Sequence, residues 1–522
     1  MATVEHQSVE ASRNGGGANG RTFAVEAPAT GETIAHLPDL DAGQVRALVE
    51  RARVAQKAWG EASFDDRAAV MFHARKWMID NRDRIAQTVM DETGKTREDA
   101  MVADVFTTAD ALGFWAKKAP VYLKDERVRS HSLFTLGRKL IVRYRPYGVV
   151  GVIGPWNYPI ANCFGDAIPA LMAGNAVILK PSEVTPLSSL LMEEGMRAAG
   201  LPQDVMLTAT GQGETGAAVV EETDMIMFTG STRTGKKIMG KAAETLTPVS
   251  LELGGKDPMI VLRDADLERA ANTAVYWGMA NAGQICMSVE RVYVEEPVYD
   301  EFVQKVVEKT RELRQGKSTG PATVELGAVT FAPQVEIIER HIRDAVDKGA
   351  DVAVGGKLGG GPGRFFEPTV LTGVDHSMEI MTEETFGPTL PIMKVRDADE
   401  ALRLANDTRY GLNSSVFTND VEKGERIARD LTAGNACVND AVINYAATEM
   451  PFGGSGESGV GVRHGAAGIQ KYCQVQSIAI TRPGLASKRE LYHFPYSTTR
   501  SRIVEMVPVL MNGRVPRKYR KR

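Results

Sequence analysis

The chain has 522 residues, 43% hydrophobic and 25% charged, which is the composition of an ordinary globular protein. Its 62 Lys and Arg residues against 66 Asp and Glu leave a net charge of −4, so no overall charge favours nucleic acid or an anionic membrane. The length predicts two or three domains. No run of about 18 apolar residues occurs, which argues against a transmembrane helix. Residues 1–22 lack the apolar core of a secretory signal and are predicted to be a disordered leader.

The four cysteines give no sign of a disulfide framework or a metal site. Cys163, Cys286, Cys437 and Cys473 include no C-x-x-C pair, and no His spacing suggests zinc. We therefore expect free thiols, no bound metal and a cytoplasmic location.

Two segments before residue 120 are predicted to be helical. Residues 45–59 and 66–95 place apolar residues three and four positions apart with charges between them, the pattern of a helix with one buried face. Gly94 is the expected helix stop. Residues 130–147 instead alternate apolar with polar or basic residues, which indicates an amphipathic hairpin.

From residue 148 onward, short apolar strands alternate with helices. This alternation implies βαβ units, hence an α/β fold with helices on both faces of a parallel sheet. A second alternating region, 258–431, indicates a second α/β domain. Ligands bind at the carboxyl ends of such strands, so the chemistry should lie in the loops that follow them. The predicted strands of the first region are 149–153, 176–179, 205–209, 225–228 and 249–253, and its helices are 160–173, 187–199, 215–222 and 236–243.

The first candidate loop is GPWNYP, residues 154–159, directly after a predicted strand. Two prolines and a tryptophan stiffen it, and the side-chain amide of Asn157 could donate to a developing oxyanion. The alternative is a packed turn in which Asn157 bonds its own backbone.

Two further loops suggest contacts to a nucleotide. In KPSE, residues 180–183, Lys180 and Glu183 could hydrogen-bond neighbouring hydroxyls of a ribose; the alternative is a helix start capped by Ser182. FTGSTRTG, residues 228–235, puts glycines between a strand and a helix, where backbone N–H groups can approach a pyrophosphate. Its glycine spacing matches neither the dinucleotide fingerprint nor a P-loop, so that pattern alone is weak.

A carboxylate and a thiol complete the set. Glu252 ends an apolar strand just before two glycines, an unusual place for a carboxylate unless it points into a cleft. Cys286 closes a helix-like stretch. Because the pKa of a free thiol is about 8.5, a nucleophilic role for Cys286 requires surroundings that favour the thiolate. The alternative is a buried structural thiol.

Together these loops resemble the NAD(P)-dependent aldehyde dehydrogenase superfamily. GPWNYP, KPSE, FTGSTRTG, LELGGKDP, GQIC and EETFGP (383–388) occur in that family's order and spacing, as do the 34 residues from Glu252 to Cys286. The resemblance covers nearly the whole chain, from about Val25 to about Thr481. The departures are Tyr158, where Phe is frequent, and an unusual stretch after Arg482.

The resemblance implies an oxidoreductase that converts an aldehyde into a carboxylic acid through a cysteine thiohemiacetal and thioester. Cys286 matches the nucleophile, the Asn157 amide and the Cys286 backbone N–H match the oxyanion hole, and Glu252 matches the base that activates water. Glu183 favours NAD over NADP because its carboxylate would repel a 2′-phosphate, a repulsion that Lys180 could soften. The residues that match cofactor contacts are Trp156, Lys180, Ser182, Glu183, Gly230, Ser231, Gly235, Leu253, Glu384 and Phe386.

The substrate is predicted from the helix after the GPWNYP loop. Residues 160–167 contain an Asp and no Arg that could pair with a distant carboxylate. We therefore expect an uncharged aliphatic or aromatic aldehyde. The alternative is a succinate-semialdehyde type of enzyme, because residues 281–297 resemble bacterial sequences with that name. The predicted apolar tunnel consists of Tyr158, Phe164, Ile285 and Met287.

The resemblance also implies how the chain is divided. In the family, a small β arm adds strands across a subunit interface, so a homodimer or homotetramer is expected. The predicted parts are a Rossmann-like cofactor domain at 23–124 and 148–254, an α/β catalytic domain at 255–456, the arm at 125–147 and 474–484, and a C-terminal extension at 485–522.

Three other interpretations are weaker. A CoA-acylating relative would lack the carboxylate that Glu252 supplies, and a non-catalytic member would not need Asn157, Glu252 and Cys286 together. The apolar piece 503–511 is too short to span a membrane and is expected to pack on a neighbouring subunit. With the basic tip that follows, it could also make a weak peripheral contact with lipid.

Overall fold

The computed structural model describes residues 20–482 and 493–512. The helices are α1 Ala42–Glu61, α2 Phe64–Asp80, α3 Arg82–Thr93, α4 Arg97–Asp99, α5 Thr107–Tyr122, α6 Gly165–Met172, α7 Leu187–Ala198, α8 Gly213–Glu222, α9 Thr232–Ala243, α10 Leu267–Met279, α11 Tyr299–Arg311, α12 Ala332–Asp347, α13 Glu379–Thr382, α14 Ala398–Asn406, α15 Val421–Asp430, α16 Ile443–Ala446, α17 Gly465–Gln470 and α18 Thr498–Asn512. Two π-helical segments, Ala100–Phe106 and Ile160–Phe164, lead into α5 and α6.

The strands form four sheets. They are β1 Thr22–Ala27, β2 Glu32–Pro38, β3 Glu126–Val128, β4 Lys139–Pro146, β5 Val149–Ile153, β6 Ala176–Lys180, β7 Met206–Thr208, β8 Met225–Thr229, β9 Val249–Glu252, β10 Asp257–Val261, β11 Val289–Glu295, β12 Asp351–Val354, β13 Thr369–Thr372, β14 Thr389–Val395, β15 Ser415–Phe417, β16 Cys437–Val438, β17 Gly459–Val460 and β18 Cys473–Ile480. Strands β1 and β2 form a separate antiparallel pair.

The first large sheet has six strands in the order β17-β9-β8-β5-β6-β7. Strands β5 to β9 pair in parallel, and β17 is antiparallel to β9 at one edge. Every residue of β5, β6 and β8 is buried, as expected for a parallel sheet that is covered on both faces. The predicted βαβ organisation is confirmed here.

The second large sheet has seven strands in the order β12-β13-β14-β11-β10-β15-β16. All its neighbouring pairs are parallel except β12 with β13. The two large sheets confirm the predicted α/β fold class.

The helical segment predicted at 66–95 is two helices, not one. Asn81 interrupts it, and its side-chain amide donates to the Trp77 carbonyl at 2.8 Å, which satisfies a carbonyl at the end of α2. Helix α3 ends at Gly94, which has a φ of 73° and donates its N–H to the Met90 carbonyl. The predicted helix stop is therefore confirmed, because a left-handed residue closes a helix most easily as glycine.

The hairpin predicted at 130–147 is only partly correct. Residues 139–146 form β4, but Leu133–Thr135 is a 3₁₀ turn, and the hairpin partner is β3 at 126–128. Strand β4 lies in the middle of a three-stranded sheet of order β18-β4-β3. The alternation of apolar and polar side chains predicted strand β4. Its hairpin partner β3 lies before the alternating segment, so the pattern could not indicate it.

By its internal contacts the chain divides into two compact units. Of the described residues, one unit comprises those up to Leu123 together with Arg145–Gln474, and the other comprises Lys124–Tyr144 and those from Val475 onward. None of the helices in the described part of the chain combines the length and the apolar character that a membrane crossing requires. The finer domain boundaries given above stay a prediction.

Candidate active site

Asn157 lies in the loop that follows β5 and is 2% exposed. Its side-chain amide donates to the Gln284 carbonyl at 2.9 Å, two residues before Cys286. An amide nitrogen carries two N–H groups, so one remains to donate to another oxygen. The structure thus joins the predicted oxyanion donor to the loop that carries the predicted nucleophile.

A buried ion pair that the sequence analysis missed holds the loop of Asn157. Lys95 donates to Asp104 at 2.9 Å and to the Asn157 carbonyl at 2.8 Å, and both charged side chains are fully buried. Asp104 in turn accepts from the backbone N–H groups of Ile160 and Ala161 at 3.1 and 3.2 Å. The pair therefore holds both the middle of the loop, at Asn157, and the two residues that follow it.

Three consecutive residues before Cys286 adopt left-handed backbone conformations. The φ angles are 52° at Asn281, 55° at Ala282 and 71° at Gly283. Such a conformation costs a non-glycine residue roughly 1–2 kcal/mol, so other contacts must stabilise it. Asn281 donates to the carbonyls of Asn157 and Gln284, and Gln284 donates back to the Asn281 carbonyl at 2.7 Å.

Gly283 also makes the closest backbone approach in the site. A Cβ atom at this position would overlap the carbonyl of Gly387, which belongs to the EETFGP segment. The two loops therefore pack backbone against backbone, and glycine at position 283 is required for that contact.

Glu252 is the last residue of β9 and is 3% exposed. Its Oε1 atom has no hydrogen-bond partner among the described residues. Burial raises the pKa of this carboxyl to about 7, although the positive charges of Arg463 and Lys471 act in the opposite direction. A carboxylate with a pKa near neutral and a free oxygen is suited to accept a proton.

A second buried ion pair lies beside Glu252. Arg463 donates from Nε and Nη2 to Asp166 at 3.0 and 2.7 Å and also to the hydroxyl of Thr229. Thr229 is the register partner of Glu252 on the adjacent strand β8. This arrangement brings the Arg463 guanidinium to the carboxyl end of the sheet, where β9 ends at Glu252.

Cys286 is half-buried and unpaired. Burial raises the pKa of its thiol to about 12, with the Arg463 charge acting against it and the carboxylates of Asp257, Glu384 and Glu252 acting with burial. The thiol is therefore protonated at neutral pH in the structure as it stands, and a proton acceptor is needed to generate the thiolate.

The loop after Glu252 brings the carboxylate, the thiol and EETFGP together. A Cβ at Gly255 would lie 2.5 Å from the Cys286 carbonyl oxygen, and one at Gly254 would overlap the Glu384 carboxylate. The Gly255 N–H donates to Glu384 at 3.1 Å. The two glycines let three chain segments meet where any side chain would hold them apart.

The ribose-type contacts lie at the carboxyl end of β6. Lys180 is 5% exposed, and its ammonium lies 3.4 Å from the Glu183 carboxylate. Burial lowers the pKa of Lys180, and Glu183 opposes that shift. Ser182 uses its hydroxyl to accept the Val184 N–H at 3.2 Å in a turn, and α7 begins only at Leu187, so the alternative of a helix start capped by Ser182 is wrong.

The FTGSTRTG loop connects β8 to α9. Ser231 caps the helix by accepting the Thr234 N–H at 3.3 Å, and the Gly230 N–H donates to the Glu252 carbonyl at 3.1 Å. A Cβ at Gly235 would lie 2.6 Å from the side chain of Leu253, so glycine allows α9 to pack on the strand exit. The positive end of α9 thus points toward the same sheet edge as Lys180.

Two aromatic residues of the candidate cofactor site, Trp156 and Phe386, are in direct contact. The rings of Trp156 and Phe386 meet edge to face with centroids 5.3 Å apart. Phe386 has a φ of 51°, and its N–H donates to Glu290 at 2.9 Å. Glu290 is paired with Lys256 at 2.6 Å, a buried pair that the sequence analysis also missed.

Of the predicted tunnel residues, three lie with Cys286 and one does not. Ile285 and Met287 belong to a buried hydrophobic cluster on which Tyr158 and Cys286 pack. Phe164 is buried in the π-helical segment before α6 but is not a member of that cluster.

The residues missed by sequence reasoning are partners in buried ion pairs. Lys256 stands in LELGGKDP and Asp166 in residues 160–167, but neither position gives a local sign of its distant partner.

Comparisons with known proteins agree with this geometry. Residues 16–478 match the family model described as the aldehyde dehydrogenase family. A Mycolicibacterium smegmatis protein named "putative succinate-semialdehyde dehydrogenase, NADP(+)" is 42% identical over 88% of this chain and 88% of its own. The 4,4'-diapolycopene aldehyde oxidase of a Methylomonas species is 36% identical over 92% of this chain and 89% of its own.

A solved structure gives the same result. The NAD⁺ complex of the Bacillus cereus aldehyde dehydrogenase has a TM-score of 0.84 and 33% identity, covering 88% of this chain and 93% of that one. The family uses NAD or NADP as the electron acceptor, and its members oxidise aldehydes. The chain belongs to the aldehyde dehydrogenase family.

Proposed function

We propose that this enzyme oxidises its aldehyde with Cys286 as nucleophile, Asn157 as oxyanion donor and Glu252 as general base. The convergence of the Asn157 amide, the Cys286 loop and the end of β9 on one sheet edge carries the proposal. The S–H bond of Cys286 breaks and its proton passes to solvent as the sulfur adds to the aldehyde carbon, and the oxygen that gains charge accepts an N–H from Asn157. Removal of one such donor typically costs about 2.7–4 kcal/mol of transition-state stabilisation.

Oxidation and hydrolysis complete the cycle. Bound NAD or NADP supplies the acceptor for the hydride that leaves the thiohemiacetal carbon. Glu252 takes a proton from the water that attacks the resulting thioester, and the carboxylic acid leaves as the Cys286 thiol is restored. The free Oε1 atom of Glu252 and its near-neutral pKa support this role.

The residues present fit a dinucleotide. Among the described residues the Lys180 ammonium donates to Glu183, and an ammonium has three N–H groups to donate. The N-terminal end of α9 offers backbone N–H groups for a pyrophosphate. We propose that Lys180, Glu183, Ser231 and the loop of Trp156 hold the cofactor, and that Glu384 and Phe386 hold its nicotinamide half. Ser182, Gly230, Gly235 and Leu253 shape the same edge.

We propose NAD as the preferred cofactor, with NADP as the alternative. The Glu183 carboxylate, 46% exposed and 3.4 Å from Lys180, would accept hydrogen bonds from a free 2′-hydroxyl and repel a phosphate there. The name of the Mycolicibacterium relative favours NADP instead. Replacing Glu183 by Gln should raise kcat/KM with NADP relative to NAD, and an unchanged ratio would remove Glu183 as the determinant.

Two substrate classes are candidates. The cluster of Tyr158, Ile285 and Met287 at Cys286 supports an uncharged aldehyde. The name of the Mycolicibacterium relative favours a semialdehyde that carries a carboxylate. A panel of neutral and acidic aldehydes, each with NAD and with NADP, decides between them. Formation of reduced cofactor and free acid without CoA is expected, and no turnover with any aldehyde would refute the function.

The assembly and location are proposed from the same residues. The three-stranded sheet has β18 and β3 at its edges, which supports a homodimer or homotetramer formed by strand addition. The free thiols of the four cysteines support a cytoplasmic location. In α18, Ile503, Val504 and Met506 are exposed, which supports a contact with a neighbouring subunit or weakly with lipid.

A further inference from the structure

Glu457 connects a helix of the first large sheet to a loop of the second. It lies in the short 3₁₀ turn before β17. Its carboxylate lies 2.6 Å from the Lys236 ammonium on α9 and 3.1 Å from the guanidinium of Arg409, which stands between α14 and β15. Its backbone makes the same two connections: the Glu457 N–H donates to the Arg409 carbonyl at 2.9 Å, and the Glu457 carbonyl accepts from the Thr232 hydroxyl at 3.0 Å. One residue therefore ties α9 to the Arg409 loop by four contacts.

Arg409 extends this connection to the EETFGP segment. Its guanidinium forms a bidentate pair with Glu383, with one of the two hydrogen bonds at 2.6 Å. It also donates to the Tyr410 hydroxyl at 3.0 Å and lies over that ring, 4.8 Å from the centroid. Partly exposed ion pairs contribute measurably when they are bidentate or when several charges form a network, and both conditions hold here. We call this chain of charges the outer bridge: Lys236, Glu457, Arg409 and Glu383.

The outer bridge joins the two walls of the proposed cofactor site. At one end, Lys236 lies one turn into α9, the helix that Ser231 caps at the proposed pyrophosphate contact. At the other end, Glu383 directly precedes Glu384, the proposed contact of the nicotinamide half. A dinucleotide that reaches from Ser231 to Glu384 therefore touches both of the elements that the outer bridge ties together.

A buried ion pair holds the same EETFGP segment from the inside. Glu290 accepts the N–H groups of Thr385 and Phe386 at 2.8 and 2.9 Å and pairs with Lys256. The side chains of Lys256 and Glu290 are 0% and 6% exposed, whereas those of the outer bridge are 34–62% exposed. Salt screens exposed charges much more than buried ones. Ionic strength should therefore weaken the outer bridge and leave the inner pair intact.

We propose that Arg409 and Glu457 are positioning residues that hold the two walls of the cofactor site together and thereby slow the release of the reduced cofactor. They act through Glu383 and α9 and touch neither the cofactor nor the aldehyde. A dinucleotide held by both walls leaves faster once one wall can move, so a broken bridge speeds release. This inference rests on the proposed cofactor site and adds to it a control on cofactor exchange.

The test follows the dissociation of NADH, and separately of NADPH, by stopped-flow fluorescence with excess oxidised cofactor to occupy the emptied site. Arg409→Gln and Glu457→Gln should each raise the dissociation rate about three- to fivefold, the upper range for loss of an exposed ion pair. In the wild type the same rate should rise as the ionic strength increases from about 0.02 to about 0.5 M, and this rise should be lost in both variants. A merely structural role would not produce this salt dependence.

Arg84→Gln is the matched control. Arg84 and Glu194 form a bidentate pair at 2.7 and 2.8 Å that joins α3 to α7 and is not part of the outer bridge. Their exposures of 48% and 45% are close to the 45% and 39% of Arg409 and Glu383. This variant should leave the dissociation rate and its salt dependence unchanged. An equal acceleration in Arg84→Gln would refute the proposal, because it would indicate a general loosening of the protein.

The failure of the bridge and the failure of the proposed function are distinguishable, because cofactor dissociation is measured without aldehyde. If both bridge variants release cofactor at the wild-type rate with the wild-type salt dependence, the outer bridge is refuted and aldehyde oxidation at Cys286 stands. If NADH binds but no aldehyde reduces the oxidised cofactor, the proposed function fails, and the dissociation rates still decide whether the bridge controls release.

Discussion

Burial raises the pKa of both side chains that we propose to react, and this shared cause determines the resting state of the site. The thiol of Cys286, with a pKa of about 12, keeps its proton at neutral pH, whereas Glu252, with a pKa of about 7, is partly ionised. The Glu252 carboxylate can thus accept a proton from the hydrolytic water, and the Cys286 thiol is a weak nucleophile until its own proton leaves. Such a thiol is protected from stray oxidation between turnovers.

Replacing Cys286 by Ala should abolish aldehyde oxidation because no other described thiol lies in this loop. NAD binding, followed by fluorescence titration, should remain within a few-fold of wild type since the cofactor residues are untouched. Cys437→Ala is the control, because that buried thiol lies on β16 in the second large sheet. Residual turnover above a few per cent in Cys286→Ala would contradict the assignment.

Replacing Glu252 by Gln should give one burst of reduced cofactor and then a stall at the thioester. The base works as a carboxylate, so steady-state turnover in the wild type should rise as the pH passes upward through about 7. The variant should lose this rise. Rapid-mixing absorbance measurements from pH 5.5 to 8.5 test both points, and steady turnover like that of the wild type would exclude Glu252 as the base.

At the scale of elements, buried ion pairs position the loops of the candidate active site. Lys95 reaches from the end of α3 to Asp104 and to the Asn157 loop, so two helical segments share one charge pair. The pairs Arg463–Asp166 and Lys256–Glu290 act similarly beside Glu252 and Phe386. Loops usually carry the reactive groups, and here their positions are set by rigid elements beneath them.

Replacing Lys95 by Met should destabilise the enzyme by about 3–5 kcal/mol, because Asp104 would stay buried without its partner. Lys76→Met is the control, since Lys76 and Asp80 form an exposed pair on α2 whose loss costs about 1 kcal/mol or less. Urea unfolding measures both. Equal effects of the two substitutions would show that the buried pair contributes no more than the exposed one.

The sequence predicted the strands and helices of the first large sheet because their residues follow regular periods. It also marked Asn157, Glu252 and Cys286 as candidates, since Asn157 and Glu252 stand in motifs at strand ends and Cys286 in the GQIC motif; their roles stay a prediction. It could not show Lys95, Asp104 or Arg463, because a charged residue inside a helix or loop gives no local sign of its distant partner. The break at Asn81 was missed for a related reason, since the apolar spacing continues across it.

At the scale of the whole molecule, the proposed assembly would use the three-stranded sheet. Its edge strand β18 exposes Val475 by 63%, and β3 exposes Val128 by 45%. Exposed apolar side chains on an unpaired edge favour pairing with another chain. Pairing of these edge strands in a dimer or tetramer would cover both Val475 and Val128.

Replacing Val475 by Glu should therefore shift the enzyme toward the 56.6 kDa monomer in light scattering coupled to size exclusion. A charge at a strand edge opposes strand addition. Val54→Glu, on the exposed face of α1, is the control and should leave the mass unchanged. A wild-type protein that is already monomeric would refute the proposed assembly.

The contact of Gly283 with the Gly387 carbonyl has a consequence for the evolution of new specificities in this enzyme. Because the backbones at Gly283 and Gly387 touch, neither loop can change its length or its backbone conformation independently of the other. In a library made by recombining homologous genes, a crossover between these positions would combine halves that never adapted to each other. Productive chimeras should inherit both segments from a single parent.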